Sequence, residues 1–317
     1  MDFSVVIPVF NRPDEICQLL ESLSKQTLKD FEVIIVEDGS SVTCEKEIDS
    51  FRDQLQITYH YQDNAGQGMA RNTGMGLANG NYFVFFDSDC VIPPNYLEKV
   101  KEAIVTRQLD GHGGPDDAKS DFTRWQKAMN YSMTSFLTTG GIRGKLRNRK
   151  QYQARGYNMG FSREVYQKLG GFLDPNRAED IELSMRIKKA GFRMELVPEA
   201  SVWHKRKNTL ASFFRQSYQF GKNRMFIRKF HTDAVKMVHL LPLVFLLGFL
   251  ALPFLLLFIP PLFGIAWILW LVWVSALLID TGWRYSSPVV ALMALLTSHG
   301  QLWCYGAGIA AGFFGKK

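Results

Sequence analysis

Among 317 residues there are four cysteines, and no two of them stand in a CxxC spacing. Cys17, Cys44, Cys90 and Cys304 are too scattered for a zinc site or a disulfide framework, which suits a reducing compartment. The opening "MDFSVVIPVF" has no basic flank, and its apolar run breaks at Pro8 and Asn11, so it does not read as a secretory signal. The first 238 residues are therefore expected in the cytosol. Charge is almost missing from the back of the chain, where only Asp280, Arg284, Lys316 and Lys317 carry it after residue 238. Acid is missing from a second stretch. No Asp or Glu lies between Glu199 and Asp233, while eight Lys and Arg residues do. No internal repeat and no low-complexity tract occurs.

The front half alternates strand and helix. "FSVVIPV" reads as a buried strand, and "NRPDEICQLLESLSKQ" as a helix with Ile16, Leu19, Leu20 and Leu23 on one face. The strands "FEVIIVE", "QITYHY" and "NYFVFF" follow, with a glycine-bearing segment, "NAGQGMARNTGMGLANG", before the last. Such alternation predicts an α/β fold with a mainly parallel sheet covered on both faces. In such sheets ligands sit at the carboxyl ends of the strands. Those ends are Pro8-Val9-Phe10-Asn11, Glu37-Asp38-Gly39-Ser40 and Asp87-Ser88-Asp89, so the conspicuous polar residues share one rim.

Two carboxylates two residues apart on a turn, Asp87 and Asp89, suit a divalent cation with hard oxygen ligands, leaving positions for water and phosphate. The alternative is an Asp-rich turn that caps the helix beginning near Pro93-Pro94. "GQGMAR" fails the dinucleotide pattern GxGxxG, because Arg71 stands at the third glycine position. Gly66 and Gly68 then serve a close backbone approach, with Arg71 either aimed at a phosphate or simply on a helix surface. A second acidic pair, Glu179-Asp180, opens a helix. Acids there are favoured by the helix dipole, and one of them near a substrate hydroxyl would serve as a general base. His204, beside Trp203, is a metal ligand, a base or a structural residue.

Taken in order, "VVIPVFNR", "EVIIVEDGS", "GQGMARNTG", "FVFFDSD", "YNMGFSREVYQKLGGFLDP" and "AEDIELSMRIKKAGF" resemble the family 2 glycosyltransferases of the GT-A fold, over about residues 3 to 225. The resemblance implies inverting transfer from a nucleotide-diphosphate sugar, a UDP-sugar before GDP- or dTDP-sugars, assisted by Mg²⁺ or Mn²⁺. It implies that Pro8, Val9, Glu37, Asp38 and Arg71 line the donor site. It further implies that Asp87 and Asp89 hold the metal, with Asp89 the more direct ligand and His204 a further one. Asp180 corresponds to the family's base, with Glu179 beside it. Asn158, Met159, Gly160, Glu179, Arg215 and Gln216 fall on the acceptor side, and Asp87 contacts the donor as well as the metal. The processive synthases of this family carry QxxRW; here the stretch is "RQSYQFGKNR", with Gln216 but no Arg-Trp, which favours transfer of a single sugar.

The expected layout is a GT-A domain over 1–207, a basic amphipathic interface segment over 208–238, and a transmembrane region over 239–317 with two to three spans. Positive-inside bias puts the flank before His239 in the cytosol. Three spans would then leave Lys316 and Lys317 outside, against that bias. Ser298-His299-Gly300 and Pro260-Pro261 are the expected breaks. A multi-pass protein of the inner membrane, with its catalytic domain in the cytosol, would meet a lipid or lipid-linked acceptor there. No nucleic-acid partner is expected, and Trp267, Trp270 and Trp273 offer a surface for a homo-oligomer. Two other readings stay open: a silent membrane scaffold of a glycan-assembly complex, and a nucleotide-sugar sensor.

Overall fold

The computed structural model describes residues 2–117, 122–140, 149–204 and 209–315. The chain divides into two compact units, one of Met1–Asp117 with Leu146–Lys205 and one of Ala118–Lys145 with Arg206–Lys317.

The first unit begins with β1 (Phe3–Val9), α1 (Pro13–Ser24), β2 (Phe31–Asp38), α2 (Glu45–Asp49) and β3 (Ile57–Gln62). It continues through α3 (Gln67–Leu77), β4 (Tyr82–Phe86), β5 (Cys90–Val91), α4 (Tyr96–Arg107), β6 (Gly111–Gly113) and β7 (Asp116–Asp117). After the second unit's α5 (Arg124–Thr134) and α6 (Phe136–Thr139), it resumes with β8 (Asn158–Ser162), α7 (Arg163–Leu169), α8 (Glu179–Lys189), β9 (Met194–Leu196) and β10 (Val202–His204). Seven strands form one sheet in the order β3-β2-β1-β4-β8-β6-β9. All its pairings are parallel except those of β8, which runs antiparallel to β4 and β6. A small sheet, β5-β10-β7, stands apart.

The apolar strands alternate their loyalty. Val5, Ile7, Val9, Val33, Ile35, Val84 and Phe86 pack with Ile16, Leu19, Leu20 and Leu23 of α1 and Leu97 and Val100 of α4. Val6, Ile34, Val36, Phe83 and Phe85 face the other way, onto Ala70 and Met75 of α3 and Leu183 and Ile187 of α8. Both faces are covered, so a run such as Phe83-Val84-Phe85-Phe86 needs no polar residue. Because β1, β2 and β4 are parallel, their ends share one rim, and the polar tripeptides that follow them meet there.

Under the sheet runs a polar chain that fixes β4, β6 and β8. The Tyr96 hydroxyl donates to Asn158 Oδ1 at 2.6 Å, so its oxygen accepts from His112 Nε2 at 3.0 Å. His112 Nδ1 is then left as acceptor for the Tyr82 hydroxyl at 2.9 Å. Burial, and next the positive charge of Arg107, hold His112 down at about 3, so the ring is neutral.

The second unit holds α5 and α6, then α9 (Leu210–Phe226), α10 (Met237–Phe258), α11 (Pro260–Tyr285) and α12 (Pro288–Phe314). Among the described residues α10 and α11 are the two helices long and apolar enough to cross a membrane. The expected break at Pro260-Pro261 is present, because those prolines open α11. The expected break at Ser298-His299-Gly300 is absent: α12 runs through it unbroken. Gly300 is needed there as a gap for the Phe214 ring of α9, and Gly308 and Gly312 admit the α9 backbone at Tyr218 and Lys222. Hydroxyls tie α5 to the same helix, Ser132 Oγ lying 2.7 Å from Thr297 Oγ1 and 2.9 Å from Ser298 Oγ. The amphipathic segment is helical as α9, with Phe213, Ser217, Gly221, Arg224 and Met225 on its buried face. Trp270 donates from Nε1 to His299 Nε2 at 2.9 Å, and Trp273 packs edge-on against the same ring; both stay partly exposed, and Trp267 is exposed.

Candidate active site

The turn after β2 is built around two carboxylates. Glu37 is fully buried; one oxygen accepts from the Ser40 hydroxyl, and the other from the Cys44 amide at 2.9 Å. Asp38 accepts from Gln62 Nε2 at 2.7 Å and from the amides of Ala65 and Gly66 at 2.9 and 2.8 Å. It thereby clamps the β3–α3 loop against the end of β2. Asn11, at positive φ, clips the neighbouring turn by accepting from the Ser41 and Val42 amides. Pro8 is half-buried and Val9 buried beneath this rim, paired with Val36 and Glu37.

The glycine segment makes the close approach its composition suggests, and the partner is the chain's own loop 174–176. A Cβ at Gly66 would strike Asn176 and Pro175, and one at Gly68 the Asp174 carbonyl. The Gly68 amide donates to the Pro175 carbonyl at 2.8 Å. This docking delivers α3 against α8 and carries Arg71 inward. Arg71 is not a surface helix residue: its side chain is 1% exposed. Nη2 donates to Asp87 Oδ1 at 2.7 Å and Nη1 to Glu179 Oε1 at 3.0 Å, while Gly156 leaves room for the guanidinium plane. Gln67 Nε2 adds a second donor to Glu179 at 2.7 Å. Burial, then the charge of Asp180, raise the Glu179 carboxyl above its ordinary range, against the pull of Arg71.

Asp180, the next residue, is half-buried and held by backbone amides, with Oδ2 accepting from Gly156 at 3.1 Å and Oδ1 from Ile181 at 2.7 Å. On the other side of the rim, Asp89 Oδ2 accepts from Arg12 Nη1 at 2.8 Å. Both carboxylates of the Asp-Ser-Asp turn therefore face a guanidinium, Asp87 a buried one and Asp89 one that is a third exposed.

Of the residues singled out from sequence, Arg71, Asp87, Glu179 and Asp180 come together around one guanidinium. Asn158, Met159 and Gly160 lie fully inside the sheet, Asn158 bonded to Tyr96, Pro115 and Ala200. Arg215 and Gln216 lie on α9 of the second unit. His204 ends β10, and its side chain lies outside the described atoms. Arg12, Gln67 and Gly156 were missed; Arg12 carried a readable signal, a cation placed directly after the first strand end.

The family model described as Glycosyl transferase family 2 matches residues 4–170. Among curated relatives, the glycosyltransferase GlyA of Streptococcus pneumoniae is 37% identical over 108 residues, 34% of this chain and 16% of that protein. Validoxylamine A glucosyltransferase of Streptomyces hygroscopicus is 37% identical over 120 residues, 37% of this chain and 26% of that protein. The chain thus matches well under two thirds of the length of these relatives. Among solved structures, the mannosyltransferase PcManGT of Pyrobaculum calidifontis, in complex with GDP-Man and Mn²⁺, superposes with a TM-score of 0.65 at 16% identity, over 99% of this chain and 88% of that one. S. aureus TarS 1–349, in complex with UDP-GlcNAc, gives 0.53 at 18% identity, over 100% and 93%. The sheet with its single antiparallel insertion is the GT-A fold, and with its model matched over more than half of the chain, this protein belongs to glycosyl transferase family 2.

Proposed function

We propose that the protein transfers one sugar from a nucleotide-diphosphate sugar to an acceptor hydroxyl on a membrane lipid or lipid-linked saccharide, with inversion at the anomeric carbon. The observation that carries this reading is the convergence of Asp87 and Glu179 on Arg71, with Asp180 beside Glu179 and held by the Gly156 amide, at the rim where parallel strands end. Donor complexes of the two structural neighbours, with GDP-Man and UDP-GlcNAc, support a nucleotide-sugar donor. The rim residues Pro8, Val9 and Asp38 are assigned to the donor; Glu37, spent on Ser40 and Cys44, supports the turn beneath it.

The turn Asp87-Ser88-Asp89 fits a divalent cation. Its carboxylates are hard ligands on one turn, with Arg71 holding Asp87 Oδ1 and Arg12 holding Asp89 Oδ2, where it would compete with the ion. Two carboxylates leave coordination positions for water and donor phosphate. When bound, Mg²⁺ or Mn²⁺ supplies charge stabilisation for the departing diphosphate; the Mn²⁺ of PcManGT favours the second.

Asp180 takes the proton of the acceptor hydroxyl as its oxygen attacks the anomeric carbon opposite the leaving diphosphate. The Gly156 and Ile181 amides aim its carboxylate. Displacement in one step inverts the centre and needs no covalent nucleophile. The apolar helices α10 and α11, and the acid-free stretch before them, favour an acceptor held at a bilayer of anionic lipid, the inner membrane in a bacterium.

The test is nucleotide release by detergent-purified protein with Mn²⁺, across a panel of nucleotide sugars, with and without total membrane lipid. Lipid-stimulated release from one donor, lost in Asp180→Asn while donor binding persists, is expected. Donor binding with no release from any donor would instead favour a sensor or scaffold.

A further inference from the structure

We infer that Arg155 holds a phosphate group of the acceptor, so that the acceptor is a lipid phosphate or diphosphate and not a neutral glycolipid. This rests on the transferase reading given above.

The other half-buried arginines of the first unit each have partners. Arg12 pairs with Asp89 and Glu15, and Arg107 reaches Glu195 and the Leu196 carbonyl. Arg163 donates to the Gly80 and Ala78 carbonyls at 2.9 and 2.7 Å. Arg186 donates to the Leu169 and Gly171 carbonyls and to Glu182. Arg155 is half-buried too, yet among the described residues no hydrogen bond, ion pair or ring contact occupies its guanidinium. A cation partly withdrawn from water without a partner is costly, and a bound anion removes that cost. The chain supplies no acid nearby in sequence, since no Asp or Glu lies between Asp121 and Glu164.

The backbone around Arg155 is fixed on every side. Its carbonyl accepts from the Asn158 amide at 2.8 Å, and the Asn158 side chain is anchored in the core by Tyr96 and the Ala200 carbonyl. Ala154, just before it, is buried. Gly156, just after it, donates to Asp180 Oδ2 at 3.1 Å, and a Cβ there would meet the Arg71 guanidinium at 2.6 Å. Arg155 is thus one residue from the amide that aims the proposed base. A firmly mounted guanidinium without a partner suits phosphate, whose oxygens accept paired N–H groups.

The order of groups along the rim decides which phosphate. Arg71 donates to Asp87 and Glu179 and lies against Gly156, so it separates the turn assigned to donor and metal from Gly156 and Asp180. Arg155 falls on the side of the acceptor hydroxyl. An ion pair between Arg155 and Asp180 would favour the charged carboxylate and weaken it as a proton acceptor. Two backbone amides hold Asp180 instead, which leaves the base to the hydroxyl and the guanidinium to a phosphate on the same molecule.

The test is isothermal calorimetry on the full chain in detergent. Farnesyl phosphate, farnesyl diphosphate and farnesol are titrated as one set, and UDP and GDP with Mn²⁺ as a second. The parent should bind one of the two phosphates about tenfold or more tighter than farnesol, the weight of one charge-assisted hydrogen bond. Arg155→Gln should lose that preference and keep nucleotide binding, and Arg155→Lys should recover part of it. No preference in the parent, or a full preference in Arg155→Gln, would overturn the inference. Loss of nucleotide binding in a variant that melts with the parent would assign Arg155 to the donor diphosphate and overturn it as well. Should Arg155→Gln fail to fold, Arg155→Lys is read in the same way, with a weakened preference expected. These are equilibrium measurements without turnover. They stand whether or not nucleotide release, the test of the transferase reading, is seen.

Discussion

Arg71 donates to Asp87 across 2.7 Å from a position that is itself 1% exposed. A guanidinium so placed is part of the scaffold of the site; it holds the Asp-Ser-Asp turn from below and reaches Glu179 with its other arm. Removing one partner of such a buried pair leaves the remaining charges without compensation, at a cost of about 3–5 kcal/mol. Arg71→Met is expected to lower the thermal midpoint markedly and to weaken Mn²⁺ binding. Glu179→Gln should be milder, because its amide oxygen still accepts from Arg71 and Gln67. A melting comparison in detergent decides it; Arg71→Met as stable as the parent would remove the guanidinium from this role.

Arg12 and a metal ion would compete for Asp89, since Arg12 Nη1 lies 2.8 Å from its Oδ2. Arg12→Ala is expected to tighten Mn²⁺ binding several-fold without donor, whereas Asp89→Asn weakens it tenfold or more. Mn²⁺ titration followed by electron paramagnetic resonance reads both directly. An unchanged Arg12→Ala constant would show that the bridge does not oppose the metal.

Between its ordinary 6.5 and about 3, His112 is neutral in the folded chain but protonated in the unfolded one. The unfolded state then binds the extra proton, so stability is complete above that window and is lost as pH falls through it, by up to about 1.4 kcal/mol per unit. Glu179 has the opposite sign, because its raised carboxyl favours the folded state only at pH below its own titration. Because the two groups oppose each other between pH 7 and 5, denaturant midpoints of the parent should change little there, and His112→Gln, which leaves Glu179 unopposed, should make them rise as pH falls. An unaltered slope in the variant would show that His112 does not oppose Glu179.

A Cβ at Gly308 would run into the Tyr218 carbonyl, whereas one at Gly282 meets nothing within 4 Å. Gly308→Ala should loosen α12 from α9 and lower the melting midpoint by several degrees. Gly282→Ala should be neutral or slightly stabilising, by up to about 1 kcal/mol of helix propensity. Equal effects of the two substitutions would contradict close packing at Gly308.

A cut after Arg228 would remove α10, α11 and α12. Every residue of α5 from Ala128 to Thr134 is buried, and Ser132 is bonded to Thr297 and Ser298 of α12. The truncated chain should aggregate without detergent, as size-exclusion chromatography would show. A monodisperse fragment would mean that α5 finds other cover.

The central strands and the rim were legible because their signals are local. Phe83 to Phe86 can only be a strand covered on both sides, and Asp87 and Asp89 follow it directly. Arg71 was not legible, because its partner Glu179 stands 108 residues away and nothing near Arg71 in sequence marks it as buried. Asn158 to Gly160 look like residues beside a substrate until β8 is seen to insert between β4 and β6, which places all three inside the sheet. Ser298-His299-Gly300 reads as a helix break because glycine and serine are poor helix formers. Only contact with Phe214 and Ser132 gives them a reason to sit in the middle of α12.

By itself, then, the sequence determined the alternating strands and helices, the rim where their ends gather, the acidic pairs on it and an apolar tail, since each depends on residues close together in the chain. Tertiary structure decided which of those charges are paired, which polar residues are sealed in the core, and which apolar helix is covered by its own chain. Burial and ion pairing are set by neighbours in space, and these neighbours come from distant stretches of the chain.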